Sequence, residues 1–174
     1  MDFALQKSIE ILERTPGVLR AMLQGVSVDW TSINEGEETW SVYDIVGHLI
    51  HGEKTDWMPR AAIILSENSA KEFTLFDRFA QFEESKGKSL QELLEEFKIL
   101  RKKNIENLLS KNITGKELQE KGTHPAFGEV TLAQLLATWV VHDLNHISQI
   151  SRVMAKQYKE AVGPWVEYLK ILQQ

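Results

Sequence analysis

No cysteine occurs among the 174 residues. Disulfides, thiolate metal ligands and a cysteine nucleophile are therefore excluded, and any metal must be held by imidazole, carboxylate, amide or water. Long apolar runs are missing too, none approaching the roughly 20 residues that cross a bilayer. The first residues, Met1-Asp2-Phe3-Ala4-Leu5-Gln6-Lys7, lack the basic and then apolar segments of a signal peptide. A soluble cytoplasmic protein is expected. An excess of positive charge is also absent: the net charge is −5 and the pI near 5.6, whereas duplex binding draws its affinity from clustered Lys and Arg. The basic cluster Arg101-Lys102-Lys103 sits in an otherwise acidic helical stretch and reads as a solvated face. Neither nucleic acid nor a membrane is expected as a partner. No stretch shows the period-two alternation and β-branched density of strands, and no tandem repeat or low-complexity linker is found.

What remains is helical. A composition of 43% hydrophobic and 26% charged residues is that of a globular chain, and 20.0 kDa suits one domain over residues 1–174. From about residue 2 to 24, Leu5, Ile9, Leu12, Leu19 and Leu23 recur at helical spacing, with Pro16 as an interruption or kink. Gly25 to Thr39 holds no such pattern. Ser41 and Asp44 then approach a capping box, opening a second helix that should run into Ala61–Leu65, with Pro59 as a kink. Between Asn68 and Lys88, Phe73, Phe76, Phe79 and Phe82 stand three apart in a polar context. This segment reads as a hydrophobic strap closing the core in preference to a lid over a pocket.

Ser89-Leu90-Gln91-Glu92 caps a third helix, and Gly115, Gly122, Pro125 and Gly128 break the chain after it. Thr131-Leu132-Ala133-Gln134 caps a fourth helix extending to about Glu160, where Gly163-Pro164 stops it; Trp165 to Leu172 forms a short closing helix. The sum is an all-α antiparallel four-helix bundle with long loops, a fold that often builds metal sites from facing helices.

The chemistry centres on the fourth helix. Leu132, Leu135, Leu136, Trp139, Ile150 and Val153 mark its core-facing stripe, and His142 and His146 fall on it. Four apart, their rings project from successive turns and can converge on one ion. Without a ligand, two polar rings within one turn would each need hydrogen-bond partners to offset desolvation. One helix cannot complete such a site. In the second helix Ile45, His48, Leu49 and Gly52 share a face, with Gly52 allowing close backbone approach, so His48 is the expected third ligand. His51, about 60 degrees off that face, is a rim or supporting group, and His124 lies either at the mouth of the site or on a surface loop. Asp143, Asp44, Glu53, Asn145 and Gln149 are the candidates to orient the rings, Asp143 equally so as a salt-bridge partner for another helix. An HExxH protease motif is not present, since Asp143 stands at the glutamate position, and the paired Glu-x-x-His of di-iron bundles is missing.

The segments Trp40 to Leu49, Phe127-Gly128-Glu129-Val130-Thr131-Leu132, Trp139 to Ile150 with its His-Asp-x-x-His core, and Val162-Gly163-Pro164-Trp165 together resemble the DinB/YfiT-like superfamily of DNA-damage-inducible-type four-helix proteins. The resemblance spans essentially the whole chain. It implies a metal held by His48, His142 and His146, homodimers in many members, and in some relatives metal activation of a low-molecular-weight thiol, as in bacillithiol transferases and mycothiol-dependent maleylpyruvate isomerases.

Independently of that resemblance, three neutral imidazoles suit zinc or nickel better than calcium or magnesium. A metal so held can generate a water or thiol nucleophile at neutral pH for attack on a small electrophilic substrate. Two other readings are a non-enzymatic, stress-related metal-binding or dimeric interaction bundle, and a metal-free bundle in which hydrogen bonds alone hold the histidines.

Overall fold

The computed structural model describes residues 2–173. Eight helices occur among them: α1 (Leu5–Leu12), α2 (Thr15–Leu23), α3 (Val28–Ser32), α4 (Val42–Thr55), α5 (Trp57–Leu65), α6 (Ala80–Ser85), α7 (Leu90–Ser110) and α8 (Leu132–Lys156). All three capping boxes form. Ser41, Ser89 and Thr131 each accept from the backbone N–H three residues on, while Asp44, Glu92 and Gln134 reach back to the cap.

Four bundle members result: α1 with α2, α4 with α5, α7, and α8. The first is broken at Pro16, which occupies the opening turn of α2, where its missing N–H costs nothing. The second is broken at Asp56 and not at the expected Pro59. Pro59 stands in the first turn of α5, another place where a helix has no use for the N–H. α8 pairs antiparallel with α4, bringing His142 to His48 and Trp139 to Glu53. α4 and α7 run in the same direction, since Tyr43 bonds to the Lys88 carbonyl at one end and Asn104 to the Glu53 carbonyl at the other. Residues 66–89 carry the chain back along the bundle to make this possible.

Three expectations are corrected at the connections. Gly25–Thr39 contains the one-turn α3. The connection after α7 contains an antiparallel hairpin, β1 (Lys121–His124) and β2 (Gly128–Thr131), pairing Lys121 with Thr131 and His124 with Gly128. Four residues per strand are too few to display an alternation in the sequence. The fourth helix ends at Lys156, followed by turns and then 3-10 segments at Gly163–Tyr168 and Lys170–Leu172 in place of a closing α-helix.

The strap reading of residues 68–88 holds for Phe73, which is buried beside Ile64; Phe79 and Phe82 are exposed. Thr123 pins the strap to β1 by accepting from Phe73 N–H and donating to the Lys71 carbonyl. Gly122 is required there, because a Cβ would lie 2.7 Å from the Phe73 ring.

The core consists of two apolar clusters. One gathers Leu12, Trp57, Ile64, Leu108, Leu136 and Trp139; the other gathers Leu19, Ile45, Leu49, Phe97, Ile150 and Val153. Each bundle member thus contributes to both. Between them, where α8 carries His142, Asp143 and His146, lies a polar layer.

Candidate metal centre

The helical spacing of α8 and α4 brings three imidazoles together. His48 Nε2 and His146 Nε2 each lie 3.1 Å from His142 Nε2, and one ligand atom from each ring falls within 4.8 Å of the others. His48 and His146 are buried and His142 half-buried. Burial foremost, then the neighbouring imidazoles, pushes His48 down to about 3 and His142 down to about 2. His146 is also lowered by burial, with Gln149 pulling the other way. All three rings are therefore neutral at pH 7 and offer lone pairs.

His146 donates Nδ1–H to Gln149 Oε1 at 2.8 Å, which leaves its Nε2 as the bare acceptor. His142 Nε2 presents a single in-plane position, lone pair or proton, to two neighbouring nitrogens. The Nδ1 atoms of His48 and His142 are buried with no hydrogen-bond partner. Aromatic rings hold the imidazoles in place: Trp40 lies over His48 at 4.7 Å and parallel to His146 at 6.5 Å, Trp57 meets His142 edge-on at 5.0 Å, and Phe76 meets His48 at 5.5 Å.

Of the candidates for orienting the rings, Gln149 alone bonds to one of the three. Asp44 serves the cap of α4 and Asn145 is exposed. Asp143 takes the salt-bridge alternative. Its Oδ2 accepts from Arg101 Nη1 at 2.5 Å and its Oδ1 from Nη2 at 2.9 Å. Glu53 Oε1 accepts from Arg101 Nη2 at 2.8 Å and from Trp139 Nε1 at 3.0 Å, while its Oε2 accepts from Asn104 at 2.9 Å. Arg101 also donates to the Leu12 carbonyl. The solvated-face reading of Arg101 is thus corrected: the residue is 1% exposed, inside the polar layer. Burial works against its charge, but Glu53 and then Asp143 more than offset that and its pKa is raised. Burial likewise pushes the Glu53 carboxyl up, against the pull of Arg101.

His51 is not at the rim. It is buried, bonds to Glu84 at 2.9 Å and packs on Phe76. Gly52 faces Trp57, where a Cβ would lie 3.3 Å from the indole nitrogen. His124, at the end of β1, stacks on Phe127 and lines a recess that opens beside His142.

Two recesses meet at the histidines. One, of about 420 Å³, is the more polar of the two and includes Glu35, Glu38, Thr39, Gln149 and Arg152. The other, of about 640 Å³, is walled by Trp57, Phe73, Leu75, Phe76 and Leu135. His48, His142, Phe76 and Arg78 border both. Trp57, Phe76 and Arg78 were not legible as site residues, since neither their spacing nor their type announces a ligand.

A sequence profile describing the DinB superfamily matches residues 11–150. The chain belongs to the DinB superfamily. Its fold is shared with solved structures of low identity. One, YfiT from Bacillus subtilis, is described as a probable metal-dependent hydrolase with an unusual four-helix bundle topology; it is 20% identical, with a TM-score of 0.74 over 88% of this chain and 87% of that one. Another, TT2238, described as a four-helix bundle protein, is 18% identical, with a TM-score of 0.57 over 85% of this chain and 98% of that one. No match is found among curated proteins. In this DinB chain, no described helix is long and apolar enough to cross a membrane.

Proposed function

We propose that this DinB protein is a metal-dependent enzyme in which His48, His142 and His146 hold one divalent ion, zinc or nickel, for attack of water or a low-molecular-weight thiol on a small electrophilic substrate. The observation that carries this reading is the crowding of three neutral Nε2 atoms around one point. His142 Nε2 faces two partners and can satisfy only one of them in its plane, whereas a cation would engage all three. The 3.1 Å separations suit nitrogen donors each about 2.0–2.1 Å from a shared ion. When bound, the metal supplies Lewis acidity that makes water or a thiol nucleophilic near neutral pH. Gln149 fixes the tautomer of His146, and Trp40 and Trp57 restrict the rings. The two recesses give the site an open side. The description of YfiT as a probable metal-dependent hydrolase supports the same class of chemistry.

Elemental mass spectrometry on tag-free protein tests this directly. About one zinc or nickel per chain is expected, lost in His142→Ala. Stoichiometric metal retained in a His142→Ala/His146→Ala double variant overturns the assignment. In cobalt(II)-substituted protein, azide should shift the d–d absorption bands if a coordination position is open; bands that ignore azide indicate a closed, structural site.

A further inference from the structure

Arg78 borders both the polar recess and the apolar one. Its guanidinium rests over the Trp40 ring at 5.6 Å and the Phe79 ring at 5.4 Å. Among the described residues no carboxylate pairs with it, and the side chain is exposed. The other cations nearby are committed: Arg60 binds Asp56 at 2.7 Å, and Arg152 and Lys156 bind Glu35 at 2.7 and 2.9 Å. One guanidinium beside the three histidines is therefore held by aromatic faces with its N–H edge left for an oxyanion.

The apolar recess lies next to this guanidinium. At about 640 Å³ it has the size of a small-molecule site, and its rim exposes Leu75 at 81% and Phe127 at 79%. Large apolar side chains so exposed around a concave apolar wall favour an apolar occupant. Glu38 borders the polar recess as well, and with Arg152 and Lys156 taken up by Glu35, Arg78 is the one uncommitted cation there among the described residues, which suits one negative charge better than two.

We infer that the substrate of this site is a small amphipathic monoanion: an aryl or alkyl body lying in the recess of Trp57, Phe73, Leu75 and Leu135, and a carboxylate bound by Arg78. The inference rests on the proposed metal chemistry for the ligand's role as substrate, but the binding it describes is measurable separately.

The test uses isothermal titration of 2-naphthoate and its neutral counterpart 2-naphthylmethanol, on the protein as purified and after chelation. Naphthoate should bind at least about tenfold more tightly, the effect of one charge-assisted contact. Arg78→Gln should abolish that preference and leave naphthylmethanol affinity unchanged. Thr138→Trp, which projects an indole into the recess from an exposed position on α8, should weaken both probes at least about tenfold. A preference that is absent from the wild type or survives Arg78→Gln overturns the inference, and so do probe affinities left unchanged by Thr138→Trp. A preference that survives Arg78→Gln but vanishes on chelation assigns the anion to the metal, sinking the inference while upholding the metal reading. An Arg78-dependent preference in protein that never binds metal does the reverse.

Discussion

Two polar clusters share the layer between the apolar halves of the bundle, and they begin at adjacent residues of α8. Asp143 belongs to one and His142 to the other. In the first, Arg101 meets Glu53, Asp143 and the Leu12 carbonyl, and Glu53 meets Asn104 and Trp139 as well. Its donors and acceptors answer one another inside the protein. In the second, His48 and His142 each carry a buried nitrogen with no partner, and three Nε2 atoms crowd together. The first is the more deeply buried, while the second opens onto the two recesses. The deciding difference is satisfaction, and this marks the first cluster as architecture and the second as a place made for something else.

The largest effect should come from unbalancing the satisfied cluster. Arg101→Met leaves two buried carboxylates without their cation and should cost about 3–5 kcal/mol in denaturant unfolding. A loss below about 1 kcal/mol would remove the contrast. Acidification probes the other cluster. In metal-free protein the folded pKa values of His48 and His142, about 3 and about 2, lie below the ordinary 6.5. The unfolded chain then binds more protons, so stability present above pH 6.5 is lost as the pH falls toward 3. The slope is up to about 1.4 kcal/mol per pH unit for each ring, and the His48→Ala/His142→Ala double variant should show a flatter profile between pH 6.5 and 5. The smallest change is Gln149→Leu, which releases the His146 tautomer without removing a ligand. Metal affinity should fall by about 10- to 100-fold in chelator competition, with the Arg101 network untouched; unchanged affinity would deny Gln149 its orienting role.

Local chemistry made much of this legible. Ser41, Ser89 and Thr131 announce three helix starts because capping needs only residues within one turn. The convergence of His142 and His146 follows from their spacing, and His48 from the face it shares with Ile45 and Leu49. Arg101 was hidden because beside Lys102 and Lys103 it has the sequence appearance of a solvated charge. Its burial is decided by Glu53 and Asp143, 48 and 42 positions away. Glu53 was placed beside a histidine for the same reason. The four phenylalanines of the strap share one spacing yet differ in fate, since the bond from Phe73 N–H to the Thr123 carbonyl selects which of them faces inward.

The crossover that lets α4 and α7 run in the same direction also orders events in time. As the chain is synthesised, Arg101 can find Glu53 and Asn104 can find the Glu53 carbonyl before any of α8 exists. His48 must wait for residues 94 and 98 positions later in the chain. The scaffold around Glu53 can thus consolidate during translation, while the histidine cluster is completed only by the last long helix, a late long-range closure of the kind that slows folding. A ribosome paused before residue 142 would carry a nascent chain with its architecture begun and its chemistry still in one piece of three.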